Sequence, residues 1–189
     1  MKRKTIYFAT GNKHKFVEVV DILRNYPVTV ELIDAKGKEI QSDSIIEIAE
    51  ESATNAALGT RLAVFVEDTG LFIQHLQGFP GPYAAYIYRT IGLQGILTIM
   101  KDVPSRDAFF RSVVAFASPS LRAVSFVGEV QGRINSVPRG TAGFGYDPIF
   151  EPYDGGGRTF GEMNLSQKNQ LSHRASAVKK FADWYVLQQ

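Results

Sequence analysis

Thr10-Gly11-Asn12-Lys13-His14-Lys15 places a hydroxyl, a carboxamide and two lysine ammonium groups within six residues. All of them can donate to phosphate oxygens. The stretch follows a short apolar run, Ile6 to Ala9, and precedes a helical pattern of Phe16, Val19, Val20 and Leu23. A loop that leaves a strand and opens a helix offers unpaired backbone N–H groups and the positive end of a helix dipole, a natural seat for phosphate. Plain helix capping uses the same residue types, so the stretch alone does not decide the chemistry. Far along the chain stands Gly143-Phe144-Gly145-Tyr146-Asp147-Pro148. Two aromatic rings flanked by glycines can plug a core or leave one ring free to stack on a planar ligand. Asp147, ahead of a proline, is held extended. In Ser172-His173-Arg174, Ser172 reads as an N-cap that puts His173 and Arg174 in a helix's first turn, their donors facing a ligand. A basic residue there opposes the helix dipole, which points to a ligand-facing task.

Carboxylates supply the complementary chemistry. Ala63 to Val66 is an apolar run of the kind buried on both faces of a sheet, and it ends at Glu67 and Asp68. That position is a strand's exit, where ligands bind in α/β sheets. Glu39, Glu67 and Asp68 are the carboxylates available for a hard cation such as magnesium, which prefers carboxylate and water oxygens. Glu39 lies in a polar loop and reads equally well as a solvated surface charge. His14, His75 and His173 share no ligand-type spacing and have no nucleophilic partner. The absence of cysteine excludes a thiolate metal site, a disulfide frame and a cysteine nucleophile. Direct attack by water is the remaining route for a hydrolysis.

The elements that must position these groups alternate between strand and helix. A second strand is expected over Val28 to Ile33, and Ser44-Ile45-Ile46-Glu47 reads as a capping box opening a helix through Leu58. Gly78 to Pro82 is a turn-rich loop, and Ile91 to Met100 a helix with glycines in it. Ala108 to Ala117 and Val124 to Gln131 are two long strands around Ser118-Pro119-Ser120. The closing helix has a core stripe of Val178, Phe181, Ala182 and Tyr185. The pattern predicts an α/β fold, a mixed sheet flanked by helices, in one domain spanning 1–189.

Composition bounds the class. With 44% hydrophobic and 21% charged residues, the 189-residue chain is an ordinary globular protein. A net charge of +2 gives no nucleic-acid surface, and no basic-aromatic stripe is visible. The basic start at Met1-Lys2-Arg3-Lys4 is followed by an apolar run that stops at Ala9, too short for a signal-peptide core. No segment approaches the length of a membrane span, and the expectation is a cytoplasmic protein without nucleic-acid or membrane partners.

Thr10-Gly11-Asn12 with Lys15, Glu67-Asp68-Thr69-Gly70-Leu71, Phe79-Pro80-Gly81-Pro82-Tyr83, the Gly143 to Pro148 stretch and Ser172-His173-Arg174 together resemble the inosine/xanthosine triphosphate pyrophosphatases. The motifs come in that family's order over nearly the whole chain. The resemblance implies a twisted mixed sheet in two lobes with a central nucleotide-binding cleft, a homodimer, and Mg2+-dependent hydrolysis of deaminated purine nucleoside triphosphates to monophosphate and pyrophosphate. It also implies roles. Thr10, Gly11, Asn12, Lys15 and Lys168 hold phosphates, while Glu39 and Asp68 bind metal and Asp68 activates water. Phe144, Gly145, Tyr146, Asp147, His173 and Arg174 form the base site, with Glu67 and Thr69 in support. Bacterial members carry a phosphate-binding lysine on the second helix, where this chain has Ser52, Ala53 and Thr54. A pyrophosphatase for another modified nucleotide would share the phosphate and metal parts. A nucleotide-binding sensor without turnover is the rival from another class.

Overall fold

The computed structural model describes residues 3–35 and 40–188. Its strands are β1 (Lys4–Ala9), β2 (Val28–Ile33), β3 (Val64–Ile73), β4 (Pro80–Gly81), β5 (Asp107–Ser118), β6 (Leu121–Ile134) and β7 (Phe150–Pro152). The helices are α1 (Lys13–Leu23), α2 (Ile45–Thr60), α3 (Ala84–Ile99), α4 (Leu165–Leu171) and α5 (His173–Leu187). The strands pair in the order β2-β1-β3-β5-β6-β7, with β4 on β3, giving a mixed sheet flanked by helices. Two compact units divide the chain, one of Met1–Asp68, Ser112–Gly128 and Arg174–Gln189, the other of Thr69–Arg111 and Glu129–His173.

In the first unit β1 pairs in parallel with β2 (Ile6↔Val30) and with β3 (Phe8↔Phe65). Strand side chains alternate between faces, and both faces here are covered. Phe8, Phe65, Val114 and Phe116 pack with Val19 and Leu23 of α1 and with Val178 and Phe181 of α5. Val64, Val66, Val113 and Ala115 meet an alanine-lined face of α2, formed by Ala49, Ala53, Ala56 and Ala57. Double coverage explains why Ala63 to Val66 reads as an unbroken apolar run rather than an alternating one.

The second unit gathers Leu71, Ile73, Ile96, Met100, Phe110, Ile134, Phe150 and Phe160 into a separate core. Here β3 finds a new, antiparallel partner in β4 (Leu71↔Gly81, Phe72↔Pro80), and β7 lies antiparallel to β6 (Ile134↔Phe150).

Three expectations need correction, and one element was not foreseen. Glu67 and Asp68 lie inside β3 rather than at its end, since the strand runs on through Thr69-Gly70 and pairs with β4 at Leu71 and Phe72. They do lie beyond the residues at which β3 pairs with β1, Val64 and Phe65. The Ser44 cap is one-sided: its side chain accepts from the Glu47 N–H, while Glu47 takes the Ser42 hydroxyl (2.7 Å) and Ser42 in turn caps the Ser44 N–H. Helix α3 begins at Ala84, well before Ile91, and is two helical stretches joined at Gly92, whose φ of 63° and ψ of −165° suit glycine alone. Finally α4, a single short helix, was not legible in the sequence. Asn164 starts it with a reciprocal capping box to Gln167.

Candidate active site

The first group of functional side chains forms at the start of α1. Asn12 is its N-cap, and its Oδ1 accepts from the backbone N–H of His14 (2.9 Å) and Lys15 (3.2 Å). Thr10 Oγ1 accepts from the Asn12 N–H at 3.1 Å, so hydroxyl and carboxamide first shape the loop. Gly11 is exposed, and an added Cβ there would meet nothing within 4 Å. Lys15 reaches across to β3. Its Nζ donates to the Glu67 carbonyl at 2.7 Å and stands 3.0 Å from Glu67 Oε2.

Glu67 is the hub of a buried charge network. Ser112 Oγ donates to its Oε1 at 2.5 Å, and Arg174 Nε approaches its Oε2 at 3.3 Å. Arg174 Nη1 donates to Glu18 Oε2 on α1 at 2.5 Å. Burial alone would lower the arginine's pKa, but the charges of Glu67 and Glu18, with their hydrogen bonds, raise it above the ordinary range. The guanidinium is permanently charged in this setting.

The structure places Arg174, expected at the base, in this buried network. The side chain is 2% exposed and is drawn inward to two carboxylates. It follows Ser172, which has extended backbone (φ −72°, ψ 149°) between α4 and α5.

The second group lies in the Gly143 to Pro148 loop. Asp147 folds back beneath the loop, so that its Oδ2 accepts from the Phe144 N–H at 2.8 Å and from Lys168 Nζ at 2.5 Å. Gly143 makes this possible. At φ +72°, a Cβ there would sit 2.0 Å from Asp147 Oδ2. The Lys168 ammonium lies 4.8 Å from the Phe144 ring centroid and 5.5 Å from that of Phe160. Lys168, expected on phosphate, therefore stands with the base-loop residues, buried on α4. Phe144 and Gly145 are partly exposed. Tyr146 lies in the second core: it is 4% exposed, and its hydroxyl donates to the Ala84 carbonyl at 3.0 Å. Burial, with the nearby Tyr88, raises its pKa. His173 is buried against Phe110, the rings stacked at 4.5 Å and 17°. The loop is fastened by Arg139 N–H to the Pro148 carbonyl (2.8 Å) and Gly161 N–H to the Asp147 carbonyl (2.9 Å).

The donor set can be tested against a divalent cation. Glu67 is committed to Ser112, Lys15 and Arg174, and so is a poor ligand. Asp68 and Thr69 are partly exposed on β3, immediately after it. Magnesium is typically held by one or two carboxylates, substrate phosphates and waters, and Asp68 fits that requirement. Glu39 lies outside the described residues. Among the described residues no group of three or more His, Cys, Asp or Glu side chains forms a ready-made metal cage.

The sequence matches the profile of the Ham1 family over residues 6–184. The chain belongs to the Ham1 family. It is 48% identical over 180 residues to a protein named dITP/XTP pyrophosphatase from Methanopyrus kandleri, covering 95% of each. A protein of the same name from Hyperthermus butylicus is 42% identical over 184 residues, covering 97% of this chain and 96% of the relative. The solved Ham1 protein of Staphylococcus aureus superposes with a TM-score of 0.84 at 27% identity, over 98% of this chain and 100% of that one.

Within this Ham1 chain, sequence reasoning missed Glu18, Ser112, Phe110 and Phe160. Glu18 left a signal, since it is a charge one residue before Val19 on the apolar stripe of α1. Ser112 left another, as a lone hydroxyl within an apolar strand. No local signal marks Phe110 and Phe160 apart from other core aromatics.

Proposed function

We propose that this protein hydrolyses deaminated purine nucleoside triphosphates (dITP, ITP and XTP) to the monophosphate and pyrophosphate. The full-length match to relatives named dITP/XTP pyrophosphatase carries the reading, and the chemistry of the two residue groups supports it. Thr10, Gly11, Asn12 and Lys15 bind phosphate oxygens. The carboxamide and the lysine supply donors, and the start of α1 adds a favourable dipole. Asp68 accepts the proton of a water whose oxygen attacks the α-phosphorus. As that P–O bond forms, the α–β bridging P–O bond breaks and pyrophosphate leaves with the bridging oxygen. A magnesium ion held by Asp68, with Glu39 as the second carboxylate, supplies charge neutralisation on the phosphates when bound.

Base binding rests on Phe144, Gly145, Asp147 and His173. Phe144 offers a partly exposed ring, Gly145 an open backbone beside it, and Asp147 with Lys168 holds the loop in place. Arg174 acts indirectly, by fixing Glu67 next to Asp68. The protein acts as a homodimeric cytoplasmic enzyme of one catalytic domain, with no nucleic-acid partner. Among the described residues no helix is long and apolar enough to cross a membrane.

The test is steady-state hydrolysis of dITP, ITP, XTP and the four common triphosphates in heavy-oxygen water. The expected result is preference for the deaminated substrates, with label in the monophosphate and none in pyrophosphate. Release of single phosphate as the first product, or label in pyrophosphate, rules the reaction out.

A further inference from the structure

Ser112 sits midway along β5, fully buried, in the run Ala108 to Ala117 that is otherwise almost wholly apolar. A hydroxyl in such a strand costs free energy unless it is bonded. It meets Glu67 Oε1 at 2.5 Å, and since a carboxylate only accepts, the serine must donate. The bond has a directional consequence. The terminal torsion of a glutamate is broad and roughly two-fold, so a carboxylate with no fixed partner can rotate. With Oε1 held by Ser112, Oε2 is presented to Lys15 Nζ at 3.0 Å and to Arg174 Nε at 3.3 Å. The same ammonium donates to the Glu67 carbonyl at 2.7 Å, and that carbonyl belongs to the peptide group joining Glu67 to Asp68. Lys15 is thus gripped at two points of the residue before Asp68, with 16% of its side chain still open to solvent.

We infer that Ser112 is a positioning residue for the reaction, acting through the Glu67 carboxylate to fix the Lys15 ammonium beside Asp68. The inference rests on the proposed hydrolysis. Charge stabilisation of a phosphoryl transition state depends on cations that are already in place, and a displacement of about 1 Å far from the chemistry can cost about 100-fold. Loss of the serine hydroxyl leaves the ionic partners present but one anchor short. The cost therefore appears in kcat more than in KM.

Ser112→Ala, Glu67→Gln and the double variant are compared with the parent on dITP and XTP with magnesium. The Lys15 Nζ resonance of nitrogen-labelled protein, assigned with Lys15→Arg, is followed without nucleotide. Ser112→Ala is expected to lower kcat roughly 10- to 100-fold with KM within about threefold, and to broaden or shift the Lys15 signal. In the Glu67→Gln background the same substitution adds no more than about a twofold loss, because the hydroxyl works through that carboxylate. A wild-type kcat in Ser112→Ala, or losses that multiply in the double variant, overturns the inference. Ser112→Cys, nearly isosteric with a weaker donor, stands in if the alanine variant does not fold, and is expected to fall between the two. The resonance needs no substrate. A parent protein that releases no pyrophosphate refutes the nucleotide reading, while an unchanged Lys15 signal in Ser112→Ala refutes the positioning role.

Discussion

Replacing Arg174 with methionine should unbalance the buried network. Lys15 and Arg174 carry two positive charges, Glu18 and Glu67 two negative ones, and the four cancel. Arg174 is 1% exposed, Glu67 3% and Glu18 4%, so water can do little to rescue a charge left without its partner. Without Arg174 the set holds one excess negative charge, and Glu18 loses its 2.5 Å ion pair. Removing one member of a buried pair typically costs about 3–5 kcal/mol, whereas removing both together costs much less. For a chain of this size that corresponds to a fall of roughly 6–20 °C in melting temperature. Adding Glu18→Gln to Arg174→Met neutralises the orphaned carboxylate, and should recover about 0.5–3 kcal/mol relative to additivity. Thermal and urea unfolding followed by circular dichroism measure both quantities. If Arg174→Met melts within about 2 °C of the parent while its inosine-to-adenosine triphosphate preference collapses, Arg174 is a base-reading side chain and the network argument is wrong.

The other predictions concern the chemistry and the loop. Asp68→Asn should lower kcat by ~10²–10⁴-fold at nearly unchanged KM, since an amide cannot take the water's proton; near-normal turnover would move the base elsewhere. Chelation should abolish pyrophosphate release and added magnesium should restore it, whereas full activity in chelator would remove the metal from the scheme. Gly143→Ala should raise KM for dITP well beyond its effect on kcat, because the new Cβ would fall 2.0 Å from Asp147 Oδ2 at a φ of +72° and lever the loop from Lys168. An unchanged KM would show that the loop does not shape the base site. Stability should also fall at alkaline pH. Tyr26 has its pKa raised above the ordinary 10.0 by burial and by its bond to Asp183, so the folded state holds the phenolic proton more tightly than the unfolded one. The stabilisation is therefore complete below about pH 10 and is lost as pH climbs through the folded-state value. Urea midpoints in that range should drop more steeply for the parent than for Tyr26→Phe.

Features that depend on near neighbours are legible along the chain. Asn12 caps the helix that follows it, Gly143 and Gly145 turn their loop, and Val28 to Ile33 forms the expected strand at its expected bounds. The double-faced burial of Val64 to Val66 was legible in the same way, since an apolar run without alternation leaves few other choices. Which polar groups meet depends on long-range packing. Lys15 and Glu67 are separated by 52 positions, Ser112 and Glu67 by 45, and Arg174 and Glu18 by 156. No local periodicity encodes such pairs. The sequence offered Arg174 as a donor in a helix's first turn. Only the packing of α5 and α1 in the first unit, with buried carboxylates on α1 and β3, could turn that donor inward. Tyr146 shows the same limit, because an aromatic ring between glycine and aspartate suits a ligand or a core equally, and the second core claimed it. Strand β3 ran past Asp68 for a related reason: Thr69-Gly70 reads locally as a break, but the strand is hydrogen-bonded to β5, which lies far along the chain, as well as to β4.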